Sequence, residues 1–516
     1  MKFAKTSILH PFLFAIFPII YLYSINIIEV SIDEIVFPIL VSILITGIFL
    51  IISKLILKDW IKSGLIISLL VVLSFSYGHI YSLLDSTMIG ELEIGRHRYL
   101  LPIFLTIFSF ITVLIIRTHV DLDKIKTIIN AIAITLIIIT IPNFADTGNS
   151  IIEANDENQL KDFKISYDLK KLESLNSIEK PDVYYIILDG YGGTKRMKQD
   201  LEYDNYGFLS ELNNRGFFTS DISSSNYPST GWSLTSSLNM NYLPIKENDQ
   251  TNTEYALLLN ELNQRNEVMR NFDYLSYEIV YYRTYLVFSE NPMFVDQILC
   301  QNENASTKFQ NMLLRTSILG YFANQISLEK DRQSIICAFS EISSLKDRNS
   351  ESVFAFIHLL LPHPPYLFGA NGENIIGSKT QTVEGSFVDE EKYIDSIKYA
   401  NKKILETIDK ILANNSKSII IIQSDHGYDF GINYENPSEI SLKQRFSNLN
   451  AVYLPDKGKD DLYEGITPVN IFRIIFNNYF DASYEILEDR MYYKPYGTNS
   501  ILKDIEFQDV TEIILN

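Results

Sequence analysis

The sequence has few cysteines and few basic residues. Only two of its 516 residues are cysteine, Cys300 and Cys337. This excludes a small disulfide-stabilised protein, and no CxxC pair or Cys/His array indicates a structural zinc site. Whether the two cysteines pair depends on a distance that the sequence does not give. The 44 Lys and Arg residues stand against 63 Asp and Glu, a net charge of −19, which argues against a nucleic-acid partner.

Apolar residues are abundant, and they are concentrated near the N-terminus. Five apolar stretches have about the ~20 residues that a bilayer requires: residues 11–29, 36–57, 63–84, 99–116 and 127–144. The alternative is five buried helices of a soluble protein, but these stretches contain few charges and mostly no polar stripe. No small-residue cleavage site follows the first stretch, which argues against a removable signal peptide. The sequence therefore predicts five transmembrane helices.

Loop charges predict the orientation of these helices. The basic residues before the first stretch, between the second and third, and between the fourth and fifth share one side: Lys2, Lys5, Lys54, Lys58, Lys62, Arg117, Lys124 and Lys126. The positive-inside rule makes this side cytoplasmic. Arg96 and Arg98, on the other side, are exceptions. We therefore predict a multi-pass protein of the cell membrane, with a cytoplasmic N-terminus and an extracytoplasmic chain after about residue 145.

The charge balance changes at the same point in the chain. Residues 1–145 contain 10 basic and 9 acidic residues, whereas the remainder contains 34 basic and 54 acidic residues. Residues 146–180 are polar and charged, which is typical of a linker. Residues 181–516 are enough for one large domain. The predicted organisation is a transmembrane domain at 1–145, a linker at 146–180 and an extracytoplasmic domain at 181–516.

Within the last domain, short buried strands alternate with amphipathic helices, the pattern of an α/β sheet. The clearest strands are Val183–Leu188, Val353–Ile357 and Ile419–Ile422, and residues 387–412 are predicted to form a helix with one apolar face.

Polar residues follow each of these strands. Asp189 follows the first, His358 and then His363 follow the second, and Asp425 and His426 follow the third. Because ligands of open α/β sheets collect at the carboxyl ends of strands, we expect one crevice to receive these side chains.

Each candidate also has a structural alternative. Asp425 and His426, within SDHG, suit a divalent metal, or they cap a turn. Asp189 begins DGYGG, which suits either a ligand or a tight turn. The apolar neighbours of His358 favour a core position over a metal ligand. His363 lies between prolines in LPHPPY, and it is either a functional histidine or a structural one.

A hydroxyl-rich turn precedes a predicted helix at Ser233–Met240. This turn, residues 225–233, has the sequence SNYPSTGWS. A hydroxyl at a helix N-terminus serves either as an N-cap or as an activated nucleophile beside a bound anion. The sequence leaves both interpretations open.

Taken together, DGYGG, the hydroxyl-rich turn about 40 residues later, PHPPY and IIIIQSDHG resemble the sulfatase and alkaline-phosphatase superfamily. With its apolar N-terminal segment, the chain is similar to the lipoteichoic-acid-synthase-like and phosphoethanolamine-transferase branches. The resemblance covers about residues 181–455. It implies an α-helical transmembrane bundle followed by an alkaline-phosphatase-like α/β domain, with a central, mostly parallel sheet flanked by helices.

The resemblance also implies roles for individual residues. Asp189, Asp425 and His426 match the metal ligands of the family, and His363 matches the histidine that contacts the transferred phosphate. One divalent ion is implied: zinc, manganese or calcium.

Two registers compete for the nucleophile. In the Cys/Ser-x-Pro-Ser-Arg signature of sulfatases, Ser229 aligns with the conserved serine and Asn226 stands where the nucleophile belongs. The membrane transferases use a Thr with a Ser three residues later, which Thr230 and Ser233 match. We take Thr230 as nucleophile and additional metal ligand, Ser229 as the alternative nucleophile, and His363, Asn226 and Ser229 as substrate-binding residues.

The implied function is a membrane-anchored, metal-dependent enzyme that cleaves or transfers a phosphoester group through a covalent threonine intermediate. The substrate that we expect is a lipid-headgroup phosphodiester, with a membrane lipid as donor and a glycan, a lipid or water as acceptor. A sulfuric-ester hydrolase and a catalytically inactive scaffold protein are the alternatives.

Overall fold

The structure is a computed structural model that describes residues 7–27, 30–84, 87–89, 92–142, 180–244, 252–282, 293–300, 307–345, 352–376, 387, 389–456, 458–495 and 507–516. The chain divides into two compact units: Met1–Glu153 with Asn304–Ser327, and Ala154–Glu303 with Leu328–Asn516. We refer to them as the N-terminal and C-terminal units. Apart from Lys180, the predicted linker at 146–180 lies outside the described residues, as does the end of the fifth apolar stretch.

Five helices form in the N-terminal part of the chain. They are α1 (His10–Ser24), α2 (Asp33–Leu57), α3 (Trp60–Leu84), α4 (His97–Arg117) and α5 (Asp123–Ile139), with two short strands, β1 (Met88–Ile89) and β2 (Leu92–Glu93), between α3 and α4. Three of them, α2, α3 and α4, are long and apolar enough to cross a membrane, and α1 is apolar but shorter. The predicted membrane anchor is confirmed at this level, and the five crossings and their orientation stay predictions.

The surface of these helices shows why they belong in lipid. Phe37, Leu44 and Leu55 of α2 and Leu105 of α4 are all more than half exposed. Large apolar side chains in such numbers are unfavourable in water and favourable in a bilayer. Inside the bundle, the side chain of Asn130 accepts a hydrogen bond from the backbone N–H of His10 at 2.9 Å.

The C-terminal unit is built on a seven-stranded sheet. The strands of this unit are β3 (Val183–Leu188), β4 (Phe218–Thr219), β5 (Glu278–Tyr282), β6 (Gln297–Leu299), β7 (Val353–Leu359), β8 (Ile419–Gln423), β9 (Asn450–Tyr453), β10 (Tyr492–Tyr493) and β11 (Gln508–Asp509). The order in the sheet is β4-β9-β8-β3-β7-β5-β6. The run from β8 to β6 is parallel, whereas β9 is antiparallel to its neighbours β8 and β4.

Helices cover both faces of this sheet. In chain order the remaining helices are α6 (Thr194–Asp200), α7 (Tyr206–Asn214), α8 (Thr230–Leu238), α9 (Asn252–Gln264), α10 (Glu267–Tyr274), α11 (Lys308–Thr316), α12 (Gly320–Ile342), α13 (Glu390–Asn414), α14 (Glu439–Phe446), α15 (Pro468–Tyr479) and α16 (Thr511–Leu515). Ile186 of β3 packs in a core with α13, whereas its neighbour Ile187 packs in a second core with α10 and α15. Because both faces are buried, β3 is apolar throughout, as parallel strands usually are.

The predicted fold class is therefore confirmed. The three predicted strands begin at the predicted residues, and the second and third extend by two residues and one residue, respectively. The helix predicted at 387–412 spans Glu390–Asn414, where the side chain of Asp389 caps its start by accepting a hydrogen bond from the backbone of Lys392.

The structure answers the open question about the two cysteines. Cys300 and Cys337 form a disulfide within the C-terminal unit, with their Cα atoms 5.9 Å apart and a sequence separation of 37.

We predict that the double variant Cys300→Ser/Cys337→Ser is less stable than the wild type by about 4 kcal/mol, because a loop of this length gains chain entropy when the cross-link is absent. The measurement is thermal unfolding of the detergent-solubilised protein with and without reductant. Reductant should lower the wild-type midpoint to that of the variant and leave the variant unchanged. Equal midpoints for both proteins would contradict the prediction.

Candidate active site and metal centre

The sheet brings the predicted polar residues together at the carboxyl ends of its three central strands. Asp189 directly follows β3, and its backbone N–H donates a hydrogen bond to Leu359 O at the end of β7. His358 is paired in register with Ile187 of β3, and Asp425 follows β8 on the other side. The side chains of Asp189, His358, Asp425 and His426 are all buried.

These four side chains form one cluster. His358 Nε2 lies 3.1 Å from Asp189 Oδ2. His426 Nε2 lies 3.3 Å from Asp425 Oδ2 and 3.6 Å from Asp189 Oδ1. Among the described residues, Asp189, His358 and Asp425 form a group whose potential ligand atoms all lie within 4.8 Å of one another.

This donor set fits a divalent metal ion. Both oxygens of Asp189 and Oδ2 of Asp425 are buried, and no described residue donates a hydrogen bond of normal geometry to them. Buried carboxylate oxygens without donors are costly unless a cation compensates them. Two ligands of one zinc ion, each about 2.1 Å from it, lie about 3.4 Å apart in tetrahedral geometry. The separations in the cluster are 3.1, 3.3 and 3.6 Å.

The ring of His426 is held in the orientation that this role requires. Its Nδ1 donates a hydrogen bond to Gly427 O at 2.9 Å, which leaves Nε2 as the unprotonated nitrogen, 3.3 Å from Asp425 Oδ2 and 3.6 Å from Asp189 Oδ1. Fixing one ring nitrogen through a backbone carbonyl is the usual way in which a ligating histidine is oriented.

Gly190 allows the chain that follows β3 to lie close to the chain that follows β8. Its φ angle of +70° lies in the left-handed region, and its backbone N–H donates a hydrogen bond to Asp425 Oδ1 at 3.1 Å. A Cβ atom at this position would lie only 2.7 Å from the ring of Phe387. The first glycine of DGYGG is therefore required by backbone conformation and by space.

The charges of the cluster act on one another. Burial, and then the charge of Asp189, raise the pKa of Asp425 to about 6. Burial also opposes ionisation of Asp189, but the electrostatic influence of the neighbouring His363, His358 and His426 side chains outweighs it and holds the pKa of Asp189 below its usual range. Burial, and then Arg445, lower the pKa of His426 well below its ordinary value, so His426 is neutral near pH 7. Perturbed groups of this kind concentrate at functional sites.

Thr230 is the first residue of α8, and its hydroxyl reaches the cluster. Thr230 Oγ1 lies 3.1 Å from His426 Nε2, which accepts the hydrogen bond because Nδ1 is the protonated nitrogen. The N-terminal end of α8 adds a partial positive charge at this point, which favours a bound anion. Ser229 precedes it as the N-cap residue, is half-buried, and makes no side-chain capping bond.

The structure leaves Asn226 outside the cluster. Its side-chain amide donates hydrogen bonds to Thr467 Oγ1 and to Arg490 O, each at 2.9 Å, and its oxygen accepts one from the backbone of Val469. The residue is buried, and all three of these contacts are structural. They supply a reason for an asparagine here that involves neither a nucleophile nor a substrate.

His363 lies beside the cluster on the turn after β7. Its backbone N–H donates to Asp189 O at 3.1 Å, which ties this turn to the end of β3. Its Nδ1 donates to Pro364 O at 2.6 Å, and its ring centre is 6.2 Å from that of His426. The half-buried ring therefore has its Nε2 available for a ligand.

The sequence alone did not indicate the site contacts of two residues, His358 and Arg445. His358, expected in the core, is buried but contacts Asp189, and its place near the end of a strand beside β3 was the available signal. Arg445, to which the sequence assigned no role, places Nη2 3.1 Å from His426 Nε2 and Nη1 3.2 Å from Asp429. Its Nε donates to Pro228 O, 217 residues away in sequence, a pairing that no local pattern indicates.

We predict that metal affinity falls as the pH falls through about 6. Below this pH Asp425 carries a proton that the ion must displace, whereas His426 is already neutral. The dissociation constant for zinc, measured by competition with a chelating dye, should rise by up to about tenfold per pH unit below pH 6 and level off above about pH 7. Asp425→Asn should weaken binding and remove this dependence.

The matched control is Glu267→Gln, which removes a buried carboxyl group on α10 whose pKa is also raised by burial. This control should keep the affinity and the pH profile of the wild type. A flat profile in the wild type, or normal binding by Asp425→Asn, would contradict the metal site.

Comparisons with known proteins agree with this architecture. A family model described as Sulfatase matches residues 181–478. The C-terminal periplasmic domain of EcEptC from Escherichia coli, in complex with Zn, has a TM-score of 0.42 at 12% identity and covers 65% of this chain and 94% of that chain. The integral membrane lipooligosaccharide phosphoethanolamine transferase A (EptA) from Neisseria meningitidis has a TM-score of 0.37 at 12% identity. The match covers 90% of this chain and 94% of that chain.

Identities this low, with TM-scores below 0.5, do not establish a shared activity. No curated protein matches the chain by sequence.

Proposed function

Because the chain belongs to the sulfatase family, we propose that it is a membrane-anchored, metal-dependent enzyme that cleaves or transfers a phosphoester group by way of Thr230. Family membership makes it an enzyme of the alkaline-phosphatase superfamily. The observation that carries the proposal is the Thr230 hydroxyl at the start of α8, 3.1 Å from His426 and next to two buried carboxylates.

Asp189, His358, Asp425 and His426 are the residues that would hold the metal, with the Thr230 oxygen as an additional ligand. A bound divalent ion stabilises negative charge on the attacking oxygen and on the transferred group. His363, with Nε2 directed away from its bond to Pro364, neutralises the phosphoryl oxygens. Ser229 is the second hydroxyl at the start of α8 and contributes to substrate binding.

The reaction that we propose has two steps. The Thr230 oxygen forms a bond to phosphorus, the bond from phosphorus to the leaving alcohol breaks, and the hydroxyl proton reaches that alcohol through solvent. In the second step an acceptor hydroxyl or water attacks the phosphothreonine and regenerates the Thr230 hydroxyl. An acceptor hydroxyl makes the enzyme a transferase, and water makes it a hydrolase.

The nucleophile favours phosphate over sulfate as the transferred group. The family resemblance implies that sulfatases use a cysteine converted to formylglycine, and both cysteines of this chain form the Cys300–Cys337 disulfide. Asn226, which takes the place of that residue in the sulfatase register, is held by structural hydrogen bonds. A sulfuric-ester hydrolase is therefore the second candidate.

The apolar helices favour a lipid donor. They hold the catalytic chain at a membrane surface, where the phosphodiester of a phospholipid headgroup is concentrated. Release of diacylglycerol follows if this phosphodiester is cleaved on its glycerol side. Glycans and other lipids of the cell envelope are the acceptors that we propose.

We predict that Thr230→Ala lowers turnover by at least about 10³-fold, since it removes the attacking oxygen. Thr230→Ser keeps a hydroxyl in the same place and should retain part of the activity. The measurement is diacylglycerol release from headgroup-labelled phospholipids in mixed micelles with zinc, manganese or calcium.

Ser229→Ala is the comparison variant, because it removes a neighbouring hydroxyl that we assign to substrate binding alone, and its turnover at saturating substrate should stay within about fivefold of the wild type. Activity that survives Thr230→Ala and is lost in Ser229→Ala would make Ser229 the nucleophile. Cleavage of sulfate esters alone would support the second candidate. Stoichiometric metal without turnover of any ester would indicate a scaffold protein.

A further inference from the structure

One segment of the extracytoplasmic chain belongs to the N-terminal unit. Asn304–Ser327 lies between β6 and β7 in sequence, yet it joins the unit of the apolar helices. Its described part contains α11 and the first turns of α12. Phe309 and Leu313 of α11 are buried in a cluster with Ile19 and Tyr23 of α1 and Ile35 of α2.

A small-residue surface on α3 receives the end of α11. A Cβ atom at Gly78 would lie 2.2 Å from Arg315 O and 2.6 Å from Thr316 Cα, so only glycine permits this approach. One turn earlier, Ser74 O accepts a hydrogen bond from the backbone N–H of Ile318 at 2.8 Å. Small residues four positions apart are the usual means of close backbone contact between membrane segments.

The contact lies deep along α3. Ser74 is ten residues before the C-terminal end of this helix at Leu84, a distance of about 15 Å. The whole helix is about 37 Å long, and the hydrocarbon core of a bilayer is about 30 Å thick. Even if the entire excess of about 7 Å lay at this end, Ser74 would be about 8 Å inside the hydrocarbon.

Several polar groups of the segment are hydrogen-bonded within the segment itself. The backbone N–H of Ser317 donates to Leu314 O, and that of Gly320 donates to Ser317 O. The hydroxyls of Thr316 and Ser317 donate to carbonyl oxygens one turn earlier. Thr307 and Gln310 form a reciprocal capping box at the start of α11. Internal pairing of this kind is what hydrocarbon demands of a backbone.

The other side of the segment exposes a large apolar surface. Leu319, Phe322 and Ile326 are 56%, 63% and 59% exposed. Their spacing of three and four residues places them on one face at the start of α12. It has the same character as the exposed apolar surface of the helices of the same unit, which is favourable in lipid.

We propose that residues 307–327 are a re-entrant membrane anchor, docked on α3 at Ser74 and Gly78, with Leu319, Phe322 and Ile326 in contact with lipid acyl chains. The proposal rests on the membrane location of the apolar helices and not on the catalytic role of Thr230. The predicted orientation agrees with it, because that orientation places the C-terminal end of α3 on the extracytoplasmic side.

The Cys300–Cys337 disulfide links the two parts of the chain that flank this segment. The chain leaves the C-terminal unit after Glu303 and returns at Leu328, and Cys300 and Cys337 stand on either side. The cross-link keeps the two ends of the segment close together, which lowers the conformational entropy that is lost when the segment docks on α3. The extracytoplasmic location also provides the oxidising conditions in which a disulfide persists.

The test places a nitroxide label at Phe322→Cys in the full-length protein, because the native disulfide leaves no free thiol. The protein is reconstituted in vesicles of phosphatidylethanolamine and phosphatidylglycerol. Leu44→Cys on the exposed face of α2 is the lipid-facing control, and Glu435→Cys is the exposed control in the C-terminal unit. Collision rates with oxygen, which partitions into lipid, and with a water-soluble nickel complex are measured at each position.

We expect the label at position 322 to resemble the one at position 44, with oxygen collisions exceeding nickel collisions by about fivefold or more. A label at 322 that behaves like the one at 435 would show exposure to water and overturn the proposal. Protection from both reagents would show a protein contact in place of lipid, and would overturn it as well. None of these outcomes depends on enzyme activity.

A pair of glycine substitutions tests the docking itself. Gly78→Ala forces the segment away from α3, whereas the Cβ of Gly47→Ala on α2 makes only an ordinary contact of 3.8 Å with Phe12. Gly78→Ala should raise the nickel collision rate of the label at position 322 severalfold and leave the label at position 44 unchanged. Gly47→Ala should change neither. An unchanged label at 322 in Gly78→Ala would contradict docking at this glycine.

Discussion

Two buried carboxylates that face each other at the edge of the sheet constrain the site. Asp189 and Asp425 are both inaccessible to solvent, and three of their four oxygens have no hydrogen-bond donor of normal geometry among the described residues. Such a pair is unfavourable unless positive charge compensates it. A bound divalent ion would supply this charge. The fixed ring of His426 and the position of Thr230 follow from the same requirement.

The parallel sheet brings these side chains together. Strands β7, β3 and β8 are neighbours, so their carboxyl ends place residues from distant parts of the chain within a few ångströms. Both faces of the sheet are covered by apolar helices, and the rigid core holds the site. The backbone bonds from Asp189 to β7, from Gly190 to Asp425 and from His363 to Asp189 then fix the strand ends relative to one another.

The N-terminal unit answers a different constraint, the absence of water in a bilayer. Its helices expose leucine, isoleucine and phenylalanine, and inside the bundle Asn130 accepts a hydrogen bond from the backbone N–H of His10. The segment at 304–327 follows the same rules although it lies within the sequence of the catalytic chain. The proposed second attachment to the membrane would lie between the two cysteines of the Cys300–Cys337 disulfide.

The apolar stretches, the three central strands and the residues at their ends were predictable, because hydropathy and strand periodicity are local properties of the sequence. Asp189, Asp425 and His426 were found in this way, whereas Thr230 was taken from the Thr/Ser spacing of the resembling transferases, and the structure brings the four together. The contacts of His358 and Arg445, the structural role of Asn226 and the pairing of Cys300 with Cys337 were not predictable. Each depends on a contact between residues far apart in sequence.

The sequence by itself determined which elements form and which side chains end the strands, since local chemistry decides both. Only the tertiary structure decided which side chains meet and that residues 304–327 join the apolar helices, because packing between distant segments fixes those contacts.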